Sequence, residues 1–474
     1  MVLAAVILAA GCAGGSPEPW RYPAYDARDT HAYPAVWKGE WRVERHATFD
    51  LYGESAATGF VGDVRGSAAP EILVASATQL DIYDMNGRRL GSYGYPVAHA
   101  LPGFLLDVDA DGKLDLVAGS FEEAEPSFFI INGRGRVTYH YAVDQADRDY
   151  RSLEPVVHHG SDVYLMTREN WVDSPRGFIR YSLKRNRGVW EFLVPGDPLD
   201  LRPTTRAGSE PRFVVSYATR PTGWSRFLGT DHSLGPKGID AATRIIQFRA
   251  SGRIHGAPVI VNDGTPLSGN ARIFPLGDAD TGDYLVIRDF LNYEGTDPNP
   301  PWVDFFIVKG RGADAETART SASQRYTLST YRDFRLVETT RGTRLVLLLR
   351  SAEGFELEVR DRQLRLLRTQ RLPTPAAATE QALARAGRTA LTTGAPHADS
   401  PVRLGPVLAD PKGREDPRIF LMRDGGLYLV SPRLATVRIA DVGGARRVLP
   451  LLGPRGGWLV TLGERGEVFR VQTR

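Results

Sequence analysis

The sequence predicts an all-β fold, and three observations carry that prediction. An Asp-rich loop lies between two short apolar runs, and this unit recurs along the chain. Asn-Gly pairs separate further strand-like runs, which is the strongest short-range signal for a β-hairpin. The 474 residues include 49 Gly and 32 Pro, which favours many turns over long helices. We therefore expect short strands joined by tight turns along most of the chain.

The most informative element is the loop at residues 107–115, DVDADGKLD. Carboxylates recur at every second position, and Gly112 follows where the backbone must turn sharply. Four unpaired carboxylates at this spacing would repel one another, whereas Ca²⁺ takes six to eight oxygen ligands. The alternative is a solvated acidic turn. The predicted calcium ligands are the side chains of Asp107, Asp109, Asp111 and Asp115 and the backbone carbonyl of Lys113.

The loop begins like an EF-hand loop but ends differently. Its twelfth position is Ala118, where an EF-hand requires a bidentate Glu. Residues 114–120, LDLVAGS, form a short apolar run that favours a strand over a helix. Residues 104–106, FLL, are also apolar, so we expect the loop to join two strands.

The same unit recurs at residues 60–76, 276–287 and 407–422, each with an apolar entry, an Asp, a Gly-containing loop and an apolar exit. Two features repeat at almost one period, since 44 residues separate Asp63 from Asp107 and 46 separate Asn86 from Asn132. A recurring period of this length indicates a structural repeat.

The loop at 107–115 and its flanking strands resemble the FG-GAP/VCBS repeats of integrin α-chain propellers. The resemblance implies a β-propeller of four-stranded antiparallel blades, with Ca²⁺ held in the loop between the first two strands of a blade. The chain length fits eight blades, with seven as the alternative. The expected blades are residues 57–97, 100–146, 150–197, 203–262, 270–312, 328–372, 401–440 and 443–474.

The degenerate copies of the loop predict which repeats lack metal. Arg65 and Ser67 replace the second and third carboxylates in the first copy, and Lys412 and Arg414 replace them in the last. A basic side chain there can neutralise the remaining Asp, so we expect no Ca²⁺ in either loop. The shortened loop at 278–283 keeps Asp278, Asp280 and Asp283, and the sequence leaves its metal binding open.

Closure of the ring requires the N-terminal region. The last segment provides only three apparent strands, and a strand within residues 41–52 would complete its blade and leave no open edge. We therefore predict one propeller domain over residues 41–474, preceded by a tether at residues 12–40.

Residues 1–10, MVLAAVILAA, form an uncharged apolar run that ends near Cys12, which is the single Cys of the chain. This pattern resembles a bacterial lipobox, which implies a signal peptide at 1–11, a lipid on Cys12 and anchorage in the cell envelope. Because Ala13 is not Asp, the outer membrane is expected where two membranes are present. The alternative is an ordinary core strand with an incidental Cys.

Three long segments interrupt the strand pattern at 168–177, 219–242 and 290–302, and each contains one tryptophan: Trp171, Trp224 and Trp302. Long loops often carry function, so these aromatics are candidate contacts for a protein or carbohydrate partner. Each could instead pack beneath its own loop.

Catalytic and nucleic-acid functions have little support in the sequence. No HExxH motif, Gly-x-Ser-x-Gly elbow or P-loop occurs, and the net charge of +3 comes without a basic stripe. We expect a monomeric binding or scaffold module, and the sequence leaves open whether the chain has any catalytic activity. The alternatives are a carbohydrate lyase or hydrolase using Glu169, Asp231 and His232, and an outer-membrane assembly factor.

Overall fold

A computed structural model provides the structure of the chain. It describes residues 20–21, 32–34, 41–51, 58–67, 69–121, 126–142, 152–167, 177–193, 196–203, 212–219, 243–249, 251–253, 259–261, 271–276, 283–290, 302–309, 320–327, 330–351, 354–373, 400–409, 415–453 and 456–473. All regular secondary structure in these ranges is β-strand, which confirms the all-β prediction. Within the same ranges, no helix is long and apolar enough to cross a membrane.

The strands after residue 57 follow one another in seven antiparallel groups of four and a last group of three, which we call units; the second and third groups are also joined through Ser120 and Phe121, which pair with Leu153 and Ser152. Unit 1 contains β4 (Thr58–Gly62), β5 (Glu71–Ala75), β6 (Gln79–Tyr83) and β7 (Arg89–Gly94). Unit 2 contains β8 (Ala100–Leu106), β9 (Asp115–Phe121), β10 (Ser127–Ile131) and β11 (Val137–Ala142). Unit 3 contains β12 (Ser152–His159), β13 (Asp162–Thr167), β14 (Gly177–Ser182) and β15 (Arg187–Leu193). Unit 4 contains β16 (Gly196–Pro203), β17 (Arg212–Thr219), β18 (Thr243–Arg249) and β19 (Val259–Val261).

The second half of the chain continues in the same way. Unit 5 contains β20 (Ala271–Pro275), β21 (Asp283–Phe290), β22 (Trp302–Lys309) and β23 (Thr320–Thr327). Unit 6 contains β24 (Tyr331–Thr339), β25 (Gly342–Ser351), β26 (Gly354–Asp361) and β27 (Leu366–Pro373). Unit 7 contains β28 (Val402–Ala409), β29 (Arg418–Arg423), β30 (Gly426–Val430) and β31 (Thr436–Asp441). Unit 8 contains β32 (Arg447–Gly453), β33 (Gly456–Leu462) and β34 (Arg465–Thr473).

The fourth strand of unit 8 comes from the N-terminal region. Strand β3 (Trp41–Asp50) pairs antiparallel with β34, from Trp41 opposite Thr473 to Asp50 opposite Arg465. This pairing confirms the prediction that a segment within residues 41–52 completes the last unit. Both ends of the chain's sheet system therefore meet in one blade, which removes an open edge.

The units form a β-propeller. First strands of neighbouring units contact one another, as β4 does with β8 and β28 does with β32, and β32 in turn contacts β4. Apolar clusters fill the junctions; Phe274 of β20 meets Phe334 of β24 edge to face, with ring centroids 5.3 Å apart. The described strands fall into the eight groups given above, and the number of blades in the ring stays a prediction.

Two of the expected blade boundaries are wrong. Unit 4 begins at Gly196, not at residue 203, because β16 (GDPLDLRP) is rich in Pro and Asp and resembles a turn in sequence. Unit 5 ends at Thr327, not at residue 312, because β23 (TSASQRYT) is polar and lacks apolar alternation. Each of these two strands lies at one edge of its own four-stranded sheet, and an edge strand tolerates Pro and polar residues.

The hairpin register also differs from the sequence expectation. Asp84 and Asn132 are the equivalent residues, since each is the first residue of its turn and its side-chain Oδ1 accepts hydrogen bonds from the backbone amides two and four residues later. Gly87 and Gly135 are the equivalent glycines, with φ of 78° and 74°. The pairing of Asn86 with Asn132 by sequence was therefore shifted by two residues.

Two short strands lie within the predicted tether at 12–40. β1 (Trp20–Arg21) pairs antiparallel with His158 and His159 at the end of β12. β2 (Ala32–Pro34) runs parallel to the end of β28, with Ala32 opposite Val407 and Pro34 opposite Ala409. Both additions use the edge of a first strand that faces away from its own unit, so this part of the N-terminal region adds to the propeller.

Candidate metal centre

The candidate metal loop, residues 107–114, connects the first two strands of unit 2. Its ends are fixed by the ladder between β8 and β9, in which Leu106 lies opposite Asp115. The tight turn places Ala110 at φ 60° and Gly112 at φ 83°, in the left-handed region that Gly adopts without cost. The two-stranded base therefore holds a short loop whose backbone folds back on itself.

This folding brings three of the predicted ligands together. Oxygen atoms of Asp107, Asp109 and Asp111 all lie within 4.8 Å of one another, with Asp107 half-buried and the other two exposed. Calcium–oxygen distances are about 2.3–2.6 Å, so ligands on opposite sides of the ion are about 5 Å apart. The oxygen set therefore fits a Ca²⁺ ion in both chemistry and spacing.

Backbone amides hold these carboxylates in place. Asp107 accepts hydrogen bonds from the amides of Asp111 (3.1 Å) and Gly112 (3.0 Å). Asp109 accepts from the amide of Asp111 at 3.2 Å, and Asp111 accepts from the amide of Lys113 at 2.9 Å. Each carboxylate keeps further lone pairs for a ligand, since a carboxylate offers about four acceptor sites.

Lys113 contributes its side chain to the loop. Its ammonium group forms an ion pair with Asp111. The side-chain hydrogen bond from Lys113 lowers the pKa of the Asp111 carboxyl and raises the pKa of Lys113. A cation bound by the three carboxylates would compete with this ammonium group for Asp111. The role of the Lys113 carbonyl as a ligand stays a prediction.

Asp115 differs from the other three predicted carboxylates. It is 7% exposed, and its oxygen atoms lie outside the set within 4.8 Å. Burial raises its pKa to about 6, and the charge of Asp109 adds to the shift, while a hydrogen bond from the Val108 amide opposes it. A cation bound nearby would stabilise the ionised form of Asp115 and lower its pKa. Asp115 would in turn contribute negative charge to the site without belonging to the three-carboxylate set.

In the equivalent loop of unit 1, two carboxylates accept hydrogen bonds from the loop itself. Glu71, which matches Asp115, is 3% exposed and accepts from the Val64 amide (3.0 Å) and the Ser67 hydroxyl (2.8 Å). Asp63, which matches Asp107, accepts from the amides of Gly66 (2.6 Å) and Ser67 (3.2 Å). The sequence pattern did not single out Glu71, although it lies eight residues after Asp63, as Asp115 lies eight residues after Asp107.

The two loops also contact each other. The Leu114 amide donates to the Asp63 carbonyl at 2.9 Å. A Cβ on Gly66 would lie 2.6 Å from the Lys113 side chain, so the lysine stem packs over this glycine. The metal loop is thus part of the junction between units 1 and 2.

The other predicted positions are only partly described. Asp283 begins β21 and pairs with Arg362 at 3.5 Å. The rest of the 278–283 loop, residues 410–414 and the lipidation candidate Cys12 lie outside the described residues.

The tryptophan prediction requires a correction. Trp302 is the first residue of β22 and is 6% exposed, so it is packed and does not project into solvent. Its indole N–H donates to Asp304 at 3.0 Å, and the Arg325 guanidinium lies 4.3 Å from the ring centroid. Trp171 and Trp224 lie outside the described residues.

The strands that flank the three long segments hold equivalent positions in their units. Residues 168–176 join β13 to β14, residues 220–242 join β17 to β18, and residues 291–301 join β21 to β22. Each connects the second to the third strand, and the three units are consecutive. Because equivalent connections lie on one face of a propeller, all three begin and end on the same face, opposite the metal loop.

An adjacent pair of histidines, His158 and His159, ends β12. His158 is 5% exposed and its ring contacts Phe104, with centroids 5.1 Å apart. Burial lowers the pKa of the neighbouring His159. Glu169, Asp231 and His232 lie outside the described residues.

Comparison with known proteins adds structural similarity only. No protein-family model and no curated protein sequence matches the chain. The Dos1 propeller is 10% identical, with a TM-score of 0.43, and the match covers 91% of this chain and 95% of that one.

Two further solved structures are similar over most of the chain. The quinohemoprotein alcohol dehydrogenase ADHIIG from Pseudomonas putida HK5 is 9% identical, with a TM-score of 0.47, 97% of this chain and 80% of that chain covered. BBS1N in complex with ARL6DN is 10% identical, with a TM-score of 0.40 and coverages of 92% and 97%. At these identities and TM-scores nothing about function follows, and the chain's own strand pairing defines its fold.

Proposed function

We propose that this chain is an exported, lipid-anchored bacterial β-propeller of the FG-GAP/VCBS type that binds Ca²⁺ and serves as a binding or scaffold module. The observation that carries the proposal is the convergence of Asp107, Asp109 and Asp111 oxygens within 4.8 Å on a loop between the first two strands of a unit. Oxygen-only donor sets of this kind suit a hard divalent cation.

Calcium would act mainly on stability in this proposal. The ion would offset the repulsion among the loop carboxylates and tighten the junction with unit 1, where Leu114 donates to Asp63. A ligand that binds only the folded state adds about 2.7 kcal/mol at a hundred times its dissociation constant.

The test is thermal melting with Ca²⁺ and with chelator. We expect Ca²⁺ to raise the melting temperature of the native sequence, and Asp109→Ala to abolish most of that increase. Asp63→Ala is the matched control because Asp63 lies in the degenerate loop of unit 1. This variant should be less stable in both conditions but keep its full response to Ca²⁺. A native chain that melts at the same temperature in both conditions would reject the proposal.

The anchor is tested separately. The apolar run before Cys12 motivates it, and mass spectrometry of the native N-terminus decides it. We expect a mature chain that begins at Cys12 and carries lipid; a chain that retains Met1 rules the anchor out.

The partner surface is proposed on the face opposite the metal loop. Three long connections in consecutive units enter and leave the ring on that face, as the bounds of their flanking strands indicate. A protein or carbohydrate partner bound there would leave the N-terminal side free for attachment. Pulldown from detergent-solubilised membranes should recover this partner, and shortening residues 220–242 should abolish its recovery while leaving the Ca²⁺ response intact.

A further inference from the structure

One hairpin turn recurs in six units, between the third and fourth strands. In each, the amide of the fourth turn residue donates to the carbonyl of the first, at 2.8–3.3 Å. The fourth residue always has positive φ. These donor–acceptor pairs are Gly87 to Asp84, Gly135 to Asn132, Asn186 to Leu183, Gly252 to Arg249, Leu364 to Asp361 and Leu434 to Ser431.

The residue after the positive-φ position is arginine in five of these six turns, and all five side chains are exposed. We call this set the arginine rim; it consists of Arg88, Arg136, Arg187, Arg253 and Arg365. Backbone geometry does not require arginine at this position, because Ala435 occupies it in unit 7. A turn alone therefore does not explain the recurrence.

Most of the rim is available to a partner. Arg365 pairs with Asp361 at 2.7 Å. The side chains of the other four form no ion pair within the described part of the chain. These four belong to units 1 to 4, which are consecutive, so they follow one arc of the ring. Additional exposed cations lie in the same turns: Arg134, Lys184 and Arg185.

Exposed apolar side chains accompany the cations. Val137 follows Arg136 directly and is 41% exposed. Leu366 and Leu367 follow Arg365 and are 51% and 45% exposed. An arrangement of basic and apolar side chains on one surface is typical of segments that bind at a lipid–water interface.

The rim lies on the same face as the N-terminal strands. First and third strands of an antiparallel unit run in the same direction, so the turns that follow them lie on one face, together with the metal loop. β1 and β2 pair with the last residues of β12 and β28, at that same face. Seven residues separate Cys12 from Trp20, and a fully extended segment of that length spans at most about 25 Å. A lipid on Cys12 would therefore lie within that distance of β1.

We propose that the arginine rim is a docking surface for an anionic phospholipid membrane. The inference deepens the proposed function, since the lipid on Cys12 would hold this face near the bilayer. An acidic protein would also match the charge, but the spread of the rim over a broad face and its exposed apolar residues favour a lipid surface. Each basic side chain near an anionic membrane contributes about 1 kcal/mol, which is roughly a fivefold change in binding.

The experiment measures sedimentation of the full chain with vesicles. Cys12→Ala is carried in every sample, so no lipid is attached and the result does not depend on the anchor. Vesicles of phosphatidylcholine alone give the contribution of the apolar N-terminus. Vesicles that also contain phosphatidylglycerol should bind more protein, and salt should weaken the difference.

The variants separate the rim from general charge. Arg187→Gln should weaken the anionic-specific binding about fivefold, and adding Arg136→Gln should bring the loss to roughly 25-fold. Arg465→Gln is the matched control, because Arg465 is exposed at the start of β34, directly after the turn from β33, on the opposite face. It should change binding by less than about twofold.

Three results would overturn the proposal. The first is equal binding of the protein to both vesicle types. The second is an equal loss of vesicle binding in Arg187→Gln and Arg465→Gln. The third is binding to polyglutamate that depends on the arginine rim, without binding to vesicles. The last result would assign the rim to an acidic protein. Failure of the anchor in mass spectrometry leaves the vesicle result unchanged, so the two proposals fail independently.

Discussion

Replacing Phe49 by alanine should weaken ring closure. Phe49 lies on the closing strand β3, is 5% exposed and belongs to the apolar cluster between unit 8 and unit 1. Its ring lies 4.5 Å from that of Tyr83 in unit 1. Space for the ring depends on Gly466 of β34, where a Cβ would lie 2.1 Å from the Phe49 ring. Removing a buried Phe side chain typically costs about 3–5 kcal/mol, much of the stability of an ordinary domain.

Urea denaturation at fixed Ca²⁺, followed by tryptophan fluorescence, measures this cost. Arg42→Ala is the matched control on the same strand, because Arg42 and Glu44 form an exposed ion pair worth about 0–1 kcal/mol. We expect a large decrease in the midpoint for Phe49→Ala and little change for the control. Equal midpoints for the two variants would refute the role of β3 as the closing strand.

Three further predictions follow from the described contacts. Arg335→Ala should lower the free energy of unfolding by about 3–5 kcal/mol, because the buried guanidinium forms an ion pair with Asp333 and donates to two backbone carbonyls of β28. A loss below about 1 kcal/mol in urea denaturation would contradict this. Gly119→Ala should prevent soluble folding, since its Cβ would lie 1.6 Å from a carbonyl oxygen of β12, whereas Gly188→Ala has open space and should fold normally in the same expression test. Asp115→Asn should stabilise the chelated protein by about 1–2 kcal/mol near pH 7 but not near pH 4. The pKa of Asp115 in the folded protein, about 6, exceeds the ordinary value of an aspartate, so the protonated carboxyl favours folding at low pH and this contribution is lost as pH rises through 6. Melting curves of both proteins across this pH range measure the difference, and equal curves at pH 7 would contradict the prediction.

Much of the fold could be predicted because its signals are local. The Asp-rich loop, its apolar flanks and the hairpin turns each span a few residues, and their period defines the units. The closing strand could be placed because the last segment supplies three strands where the others supply four. Local pattern and ring geometry agree at these positions.

Sheet-edge strands and short additions could not be predicted in this way. β16 and β23 each lie at one edge of their own sheet, where Pro and polar residues are tolerated, so they lack the alternation that marks a half-buried strand. β1 and β2 are two and three residues long, and their pairing with distant first strands leaves no signal in so short a segment. Register needed the structure too, since Asp84 and Asn132 differ in residue type but form the same turn.

The candidate site was predictable to a similar degree. Spacing brought Asp107, Asp109 and Asp111 together, whereas Asp115 starts β9 and its side chain is directed by the ladder. Trp302 was misplaced because an Asn- and Pro-rich segment precedes it, and the end of a loop cannot be separated by composition from the start of the next strand. Its indole and the Arg325 guanidinium share Asp304, a contact between strands that no local pattern reveals.

Titration calorimetry of the chain with Ca²⁺ tests the central claim most directly. The account predicts saturable binding of about one Ca²⁺ at the metal loop, retained in Asp63→Ala and lost in Asp109→Ala. Absence of a binding heat in the native sequence, or undiminished binding after Asp109→Ala, would contradict it and leave residues 107–115 as an acidic turn.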